Sequence, residues 1–155
     1  MRSRRQLLAG LATAGLAALA GCTRLGIGGG GRSVDCSSRG SIPTPGPIGM
    51  VRAEADGDRV LFLIGVKAEA VETEAVVRIG VYDQDGGLVH DVPVMDNQED
   101  NGLTVTGLEP GMIPYAVDLG PAPTHGWYRV VAYDQTGEVV GEAVERFNCF
   151  VDGTV

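Results

Sequence analysis

The sequence predicts an all-β protein, an antiparallel β-sandwich of about seven to eight strands. Three observations lead there. From Ile48 onward, short runs rich in Val, Ile and Tyr are separated by Gly- and Asp-containing turns, and no segment there has a helical period of useful length. Two of the runs return on themselves as hairpins of similar sequence: Arg78-Ile-Gly-Val-Tyr-Asp-Gln-Asp-Gly-Gly-Leu-Val89 and Arg129-Val-Val-Ala-Tyr-Asp-Gln-Thr-Gly-Glu-Val-Val140 share six of twelve positions. Two copies do not make a repeat protein, but two similar hairpins are natural as neighbours in one sheet of a sandwich. Finally, the chain is long enough for one core of ordinary size.

Residues 1–21 read as an export signal. They hold Arg2, Arg4 and Arg5, no acidic residue, and a weakly apolar run from Leu7 to Ala20. That run is too short to cross a bilayer, which takes about 20 residues. A charged start, short apolar middle and small-residue end are the parts of a cleaved signal. Arg4-Arg5 followed by Gln-Leu-Leu resembles a twin-arginine signal, and Leu19-Ala20-Gly21-Cys22 resembles a lipobox, in which the Cys22 thiol accepts lipid. One acyl chain holds a protein only marginally, so stable anchoring implies two on Cys22.

Residues 22–47 read as a tether. Gly28 to Gly31 are flexible, and Pro43, Pro45 and Pro47 keep the chain extended. Residues 48–155 are then the sandwich. Val60 to Val66 is apolar on both faces, as a central buried strand requires. Glu74 to Tyr82 alternates, with Ala75, Val77, Ile79 and Val81 expected inward and Arg78 and Tyr82 outward. Asp83-Gln-Asp-Gly86 turns the chain, and Leu88 to Val94 returns. Trp127 to Tyr133 alternates again, with Tyr128, Val130 and Ala132 inward. Asp134-Gln-Thr-Gly137 turns, and Val139 to Phe147 returns.

After position 21 there are nine basic and twenty acidic residues, a net charge of −11, and Lys67 is the one lysine. Such a surface repels nucleic acid and anionic headgroups, and it repels itself in dilute salt. Many acids, almost no Lys and many Gly resemble the composition of proteins from extreme halophiles, where molar salt screens the repulsion to a few ångströms. With Cys22 taken by lipid, Cys36 and Cys149 remain. Two cysteines in an exported chain read as one disulfide. Two unpaired buried thiols are the alternative.

The segment from about Val60 to Val117 resembles FxLYD-type domains of prokaryotic lipoproteins. The matching residues are Val77-Arg-Ile-Gly-Val-Tyr82-Asp83-Gln-Asp-Gly86 and Leu108-Glu-Pro110-Gly111-Met-Ile-Pro114-Tyr115-Ala-Val117. The first is a strand ending in an aromatic–Asp pair before a Gly turn. The second is a Leu-x-Pro-Gly turn feeding a strand. The run Gly65-Val-Lys67-Ala departs from the Gly-x-Val-x-Asn common in such domains, and the second hairpin lies outside the match. The resemblance implies an immunoglobulin-like sandwich in an extracytoplasmic setting, and it transfers no catalytic residue. With the signal motifs and the composition, the chain reads as a twin-arginine-exported lipoprotein of halophilic archaea.

The residues themselves also argue against catalysis. All five serines lie in the signal or tether, where no rigid element holds a Ser-His-Asp group. A blue-copper site takes two His, a Cys and usually a Met, yet only Phe-Val-Asp-Gly-Thr-Val follows Cys149. Asp96, Glu99 and Asp100 are a weak candidate Ca²⁺ loop without EF-hand spacing. His90 and His125 read as surface residues. Trp127, Arg129 and Tyr133 are expected to share one outward strand face, with Arg78 and Tyr82 on the equivalent strand. That aromatic–Arg set suits a protein interface or, alternatively, internal packing of Tyr on Arg.

The expectation is therefore a non-enzymatic, cofactor-free binding or structural module. It is held by lipid on Cys22 at the outer face of the cell membrane, with a protein partner at the cell surface and no nucleic acid. An accessory subunit of a membrane transport or surface complex is the alternative, and a Ca²⁺-binding surface domain a more distant one.

Overall fold

The computed structural model of the chain describes residues 33–42, 45–95 and 105–151. In chain order the strands are β1 (Val34–Ser41), β2 (Ile48–Asp56), β3 (Arg59–Lys67), β4 (Arg78–Tyr82), β5 (Leu88–Pro93), β6 (Met112–Pro121), β7 (Thr124–Tyr133) and β8 (Val139–Val151), with a short helix α1 (Ala68–Glu72) after β3. They form two antiparallel sheets, β2-β3-β6 and β1-β8-β7-β4-β5. Three strands facing β8-β7-β4-β5 is the seven-strand immunoglobulin-like arrangement, and β1 is added outside β8.

The core lies between the sheets. Val60, Phe62, Ile64 and Val66 of β3 face Ile79 and Val81 of β4, Val130 and Ala132 of β7, and Ala143 and Phe147 of β8. Phe62, Tyr128 and Phe147 meet in the middle with ring centroids 5.7–6.2 Å apart, a spacing that aromatic packing favours. β3 is buried on both faces, as its continuous apolar run requires: Leu63 points away from the core yet is 2 % exposed. On that outer side Leu108 and Met112 close over Gly65. β2 and β3 join through Gly57-Asp58, and Gly57 has φ +63°. Gly at the first of two loop residues is the type II′ hairpin pattern.

The expected Cys36–Cys149 disulfide is formed, and two other expectations are corrected. The stretch assigned to the tether contains strand β1, so the sandwich begins at Val34 and not at Ile48. Cys36 consequently sits within a strand, in register with Cys149 of β8, and the two form a disulfide with Cα atoms 4.1 Å apart. Before β4 the alternation is out of phase, because α1 and a positive φ of 54° at Glu74 shift the chain by one residue. Val76 is buried there while Ala75 is exposed.

Candidate functional site

The resembling hairpins, β4–β5 and β7–β8, supply four of the strands of the five-stranded sheet, with β4 beside β7. Antiparallel pairing of like sequences creates a local two-fold relation. Arg78 pairs with Tyr133, Gly80 with Val131 and Tyr82 with Arg129. The pseudo-axis thus passes between Gly80 and Val131. Both halves are built alike. Each strand has a bulge just before its tyrosine, and each turn is organised by one aspartate. The Asp83 carboxylate accepts from the N–H groups of Asp85 and Gly87 at 3.0 and 2.8 Å. The Asp134 carboxylate accepts from the N–H groups of Thr136 and Glu138 at 2.8 and 2.9 Å and from the Thr136 hydroxyl at 2.7 Å. Those contacts, the Thr136 hydroxyl first, hold the Asp134 carboxyl below its ordinary range.

On the outer face of this sheet the structure places four of the five singled-out residues together. The Arg78 guanidinium lies 4.2 Å from the Tyr133 ring centroid, and that of Arg129 lies 5.1 Å from the Tyr82 ring. The two tyrosine hydroxyls meet at 2.5 Å. Each arginine also reaches an acid on the strand beyond, Arg78 to Asp91 at 3.2 Å and Arg129 to Glu142 at 3.9 Å. Gly80 is what lets Tyr82 fold back over its own strand, since a Cβ there would meet that ring at 2.8 Å. Burial, and then the Tyr82 hydroxyl, push the Tyr133 phenol above its usual range against the pull of Arg78 and Arg129. This is the cross-strand Tyr–Arg packing anticipated as the alternative to an interface, and its polar groups are largely spent on one another.

Trp127 lies apart from that cluster, one row along the sheet. Register puts it beside Arg146 of β8, and Arg146 beside Arg39 of β1. The next row is Ser37, Asn148 and His125, and beyond it Asp35 and Phe150 pair, with Phe150 43 % exposed. A cavity of about 330 Å³ opens along Ser37–Arg39 and Arg146–Asn148. Sequence reasoning missed Arg39 and Arg146, yet one signal was available. A directly cross-strand Cys36–Cys149 bridge fixes the antiparallel register, and counting three residues inward from each end gives Arg39 opposite Arg146.

Of the nine basic residues after position 21, Arg39, Arg78, Arg129 and Arg146 share this one face, against Asp35, Asp91 and Glu142. The face therefore carries a slight positive excess on a chain of net charge −11. What it offers is guanidinium donors, amide and hydroxyl groups and aromatic rings, the chemistry of recognition.

Among the described residues no group of three or more His, Cys, Asp or Glu is placed to hold a metal ion. Asp96, Glu99 and Asp100 lie outside the described residues, as do Arg4, Arg5 and Cys22. No family model matches the chain, and a search of curated proteins finds no match either.

Proposed function

We propose that the chain is a non-catalytic binding module, exported by the twin-arginine route and held by lipid on Cys22 at the outer face of the cell membrane, as FxLYD-type lipoprotein domains are. The carrying observation is the outer face of β1-β8-β7-β4-β5. Nearly half the basic residues of a strongly acidic chain collect there, with Trp127, Tyr82, Tyr133 and Phe150 around them. Arg78 and Arg129 are occupied by Tyr133, Tyr82, Asp91 and Glu142, which leaves Arg39, Arg146 and Trp127 as the groups with which this face would recognise an acidic partner. The tether segment from Cys22 leads into β1, an edge strand of that same sheet.

The anchor and the face are tested separately. Cys22→Ser should appear in the aqueous phase of a detergent partition or remain as unprocessed precursor. Fully processed Cys22→Ser protein in the detergent phase refutes the anchor. A photo-crosslinking residue at position 142, on the five-stranded sheet, should yield a defined adduct in native membranes, and one at position 54, on the other sheet, should not. Equal adducts from both positions, or none from 142, refute the face.

A further inference from the structure

Six arginines lie among the described residues, and four of them have acidic partners: Arg52 with Glu54, Arg59 with Asp118, Arg78 with Asp91 and Arg129 with Glu142. The remaining two, Arg39 and Arg146, face each other directly across β1 and β8. Like charges directly opposite in a sheet destabilise it. Neither arginine has an ion-pair partner among the described residues, so the local opposition is offset only by the general negative charge of the chain.

We propose that the row Arg39–Arg146–Trp127 is a subsite for an acidic saccharide, with both guanidiniums on its carboxylate or sulfate group and the indole against its ring. The inference rests on the reading of this sheet face as the binding surface and names its ligand. Directly opposed residues of a sheet have Cβ atoms about 5 Å apart, so both guanidinium forks can reach one oxyanion, whose geometry a fork matches bidentately. The Trp127 side chain is half-buried, with no ring contact or hydrogen bond among the described residues, so the part of the indole left exposed is not committed to another ring. Ser37, Asn148 and His125, all exposed, form the adjacent row and supply hydrogen-bonding groups at strand spacing, as successive hydroxyls require. The cavity over Ser37–Arg39 and Arg146–Asn148 gives the acidic group a recess. A peptide fits less well. β8 lies between β1 and β7, so no added strand can pair beside Arg146, and one added at the free edge of β1 would lie beyond Arg39, on the side away from Trp127. A membrane surface is disfavoured by the acidity of the rest of the chain.

Trp127 is the only tryptophan, so intrinsic fluorescence reads the site directly. The full-length chain in detergent is titrated with tetragalacturonate, with neutral galactotetraose and with sodium sulfate. The acidic saccharide should change the emission saturably and the neutral one should not. Losing a charge-assisted contact costs a factor of about ten or more in affinity, so Arg39→Gln and Arg146→Gln should each weaken binding by about that factor. Arg146→Lys should weaken it less, since it keeps the charge and loses the fork. Arg59→Gln, on the other sheet, should leave the affinity unchanged. A ligand-free readout guards against a folding artefact: Arg39→Gln and Arg146→Gln should keep the parent's far-UV circular dichroism and a single cooperative melting transition. A flat titration, equal binding of the neutral saccharide, sulfate binding as tightly as tetragalacturonate, or affinity unchanged in both Gln variants overturns the assignment. If the titration is flat while position 142 still crosslinks in membranes, the ligand class falls and the binding face stands.

Discussion

Glu145 points into the sandwich from β8 and is fully buried, and neither carboxylate oxygen makes a hydrogen bond. Gly40 lies opposite it in register, and a Cβ there would collide with the Glu145 carboxylate, so glycine is what leaves this side chain room. Burial raises the carboxyl pKa, and the nearby Ser38 hydroxyl and Arg39 backbone N–H, which fall short of hydrogen-bonding it, lower it by less. A carboxyl whose folded pKa is raised favours the folded state while protonated. That contribution is complete below the ordinary Glu value and is lost as pH rises through the raised one. Glu145→Gln keeps the shape and removes the charge. Relative to the parent it should gain on the order of 1 kcal/mol at pH 8, the scale of relieving a buried uncompensated polar group, and almost nothing at pH 4. Urea unfolding of both proteins at the two pH values measures the difference, and an equal gain at both would show that Glu145 does not titrate on folding. The variant-minus-parent difference is the quantity to use, because Asp118 and Asp134, whose pKa values are lowered, pull overall stability the opposite way on acidification.

Strand β1 shows how an element can owe its existence to its partner. Val-Asp-Cys-Ser-Ser-Arg-Gly-Ser has a single β-branched residue, and most of its positions are exposed. It stays in place through pairing with β8, the Cys36–Cys149 bridge, and the Ser38 hydroxyl, which accepts from the Ala53 N–H at 2.9 Å. The bridge closes a loop with a sequence separation of 113, for which chain entropy predicts about 4–5 kcal/mol. Cys36→Ala/Cys149→Ala should lower unfolding stability by about 2–5 kcal/mol. Hydrogen exchange should then speed first in 34–41, the strand with the poorest burial, and unchanged protection there would mean that pairing alone holds it. The same comparison explains what was legible in advance. The β4–β5 and β7–β8 hairpins announced themselves because alternation and Asp–Gly turns are local signals, and those turns are organised by single side chains. β1 carried no such signal, since its strand character is set by contacts more than 100 residues away. Helix α1 is five residues long, too short to display a period. Of the candidate site, the Tyr–Arg cluster followed from parity along β4 and β7. The Arg39–Arg146 opposition needed the strand pairing, which the tether reading of residues 22–47 concealed.

At the scale of the molecule, charge is distributed unevenly. The outer face of β1-β8-β7-β4-β5 is near neutral, so the acidity is concentrated elsewhere: off that face, among the described residues, three basic residues stand against twelve acidic ones that are not buried. Ion pairing relieves only part of it: Asp56, Glu72 and Glu109 are exposed and belong to none of the ion pairs among the described residues. Repulsion of this kind acts over the Debye length, about 10 Å at 0.1 M salt and about 3 Å at 1 M. The compact state should therefore gain stability across that interval. Relief of one or two kcal/mol moves the melting temperature of a domain this size by on the order of 10 °C. Chloride is the salt to use, because sulfate strengthens apolar burial on its own account. An amide variant, Asp56→Asn/Glu72→Gln/Glu109→Gln, separates screening from any general salt effect. It removes three negative charges without touching an ion pair, so it should melt above the parent at 0.1 M and converge with it at molar chloride. Parallel salt curves, displaced or coincident, would mean that self-repulsion is not what the salt relieves, and the resemblance to halophile composition would then carry no physical consequence for this fold.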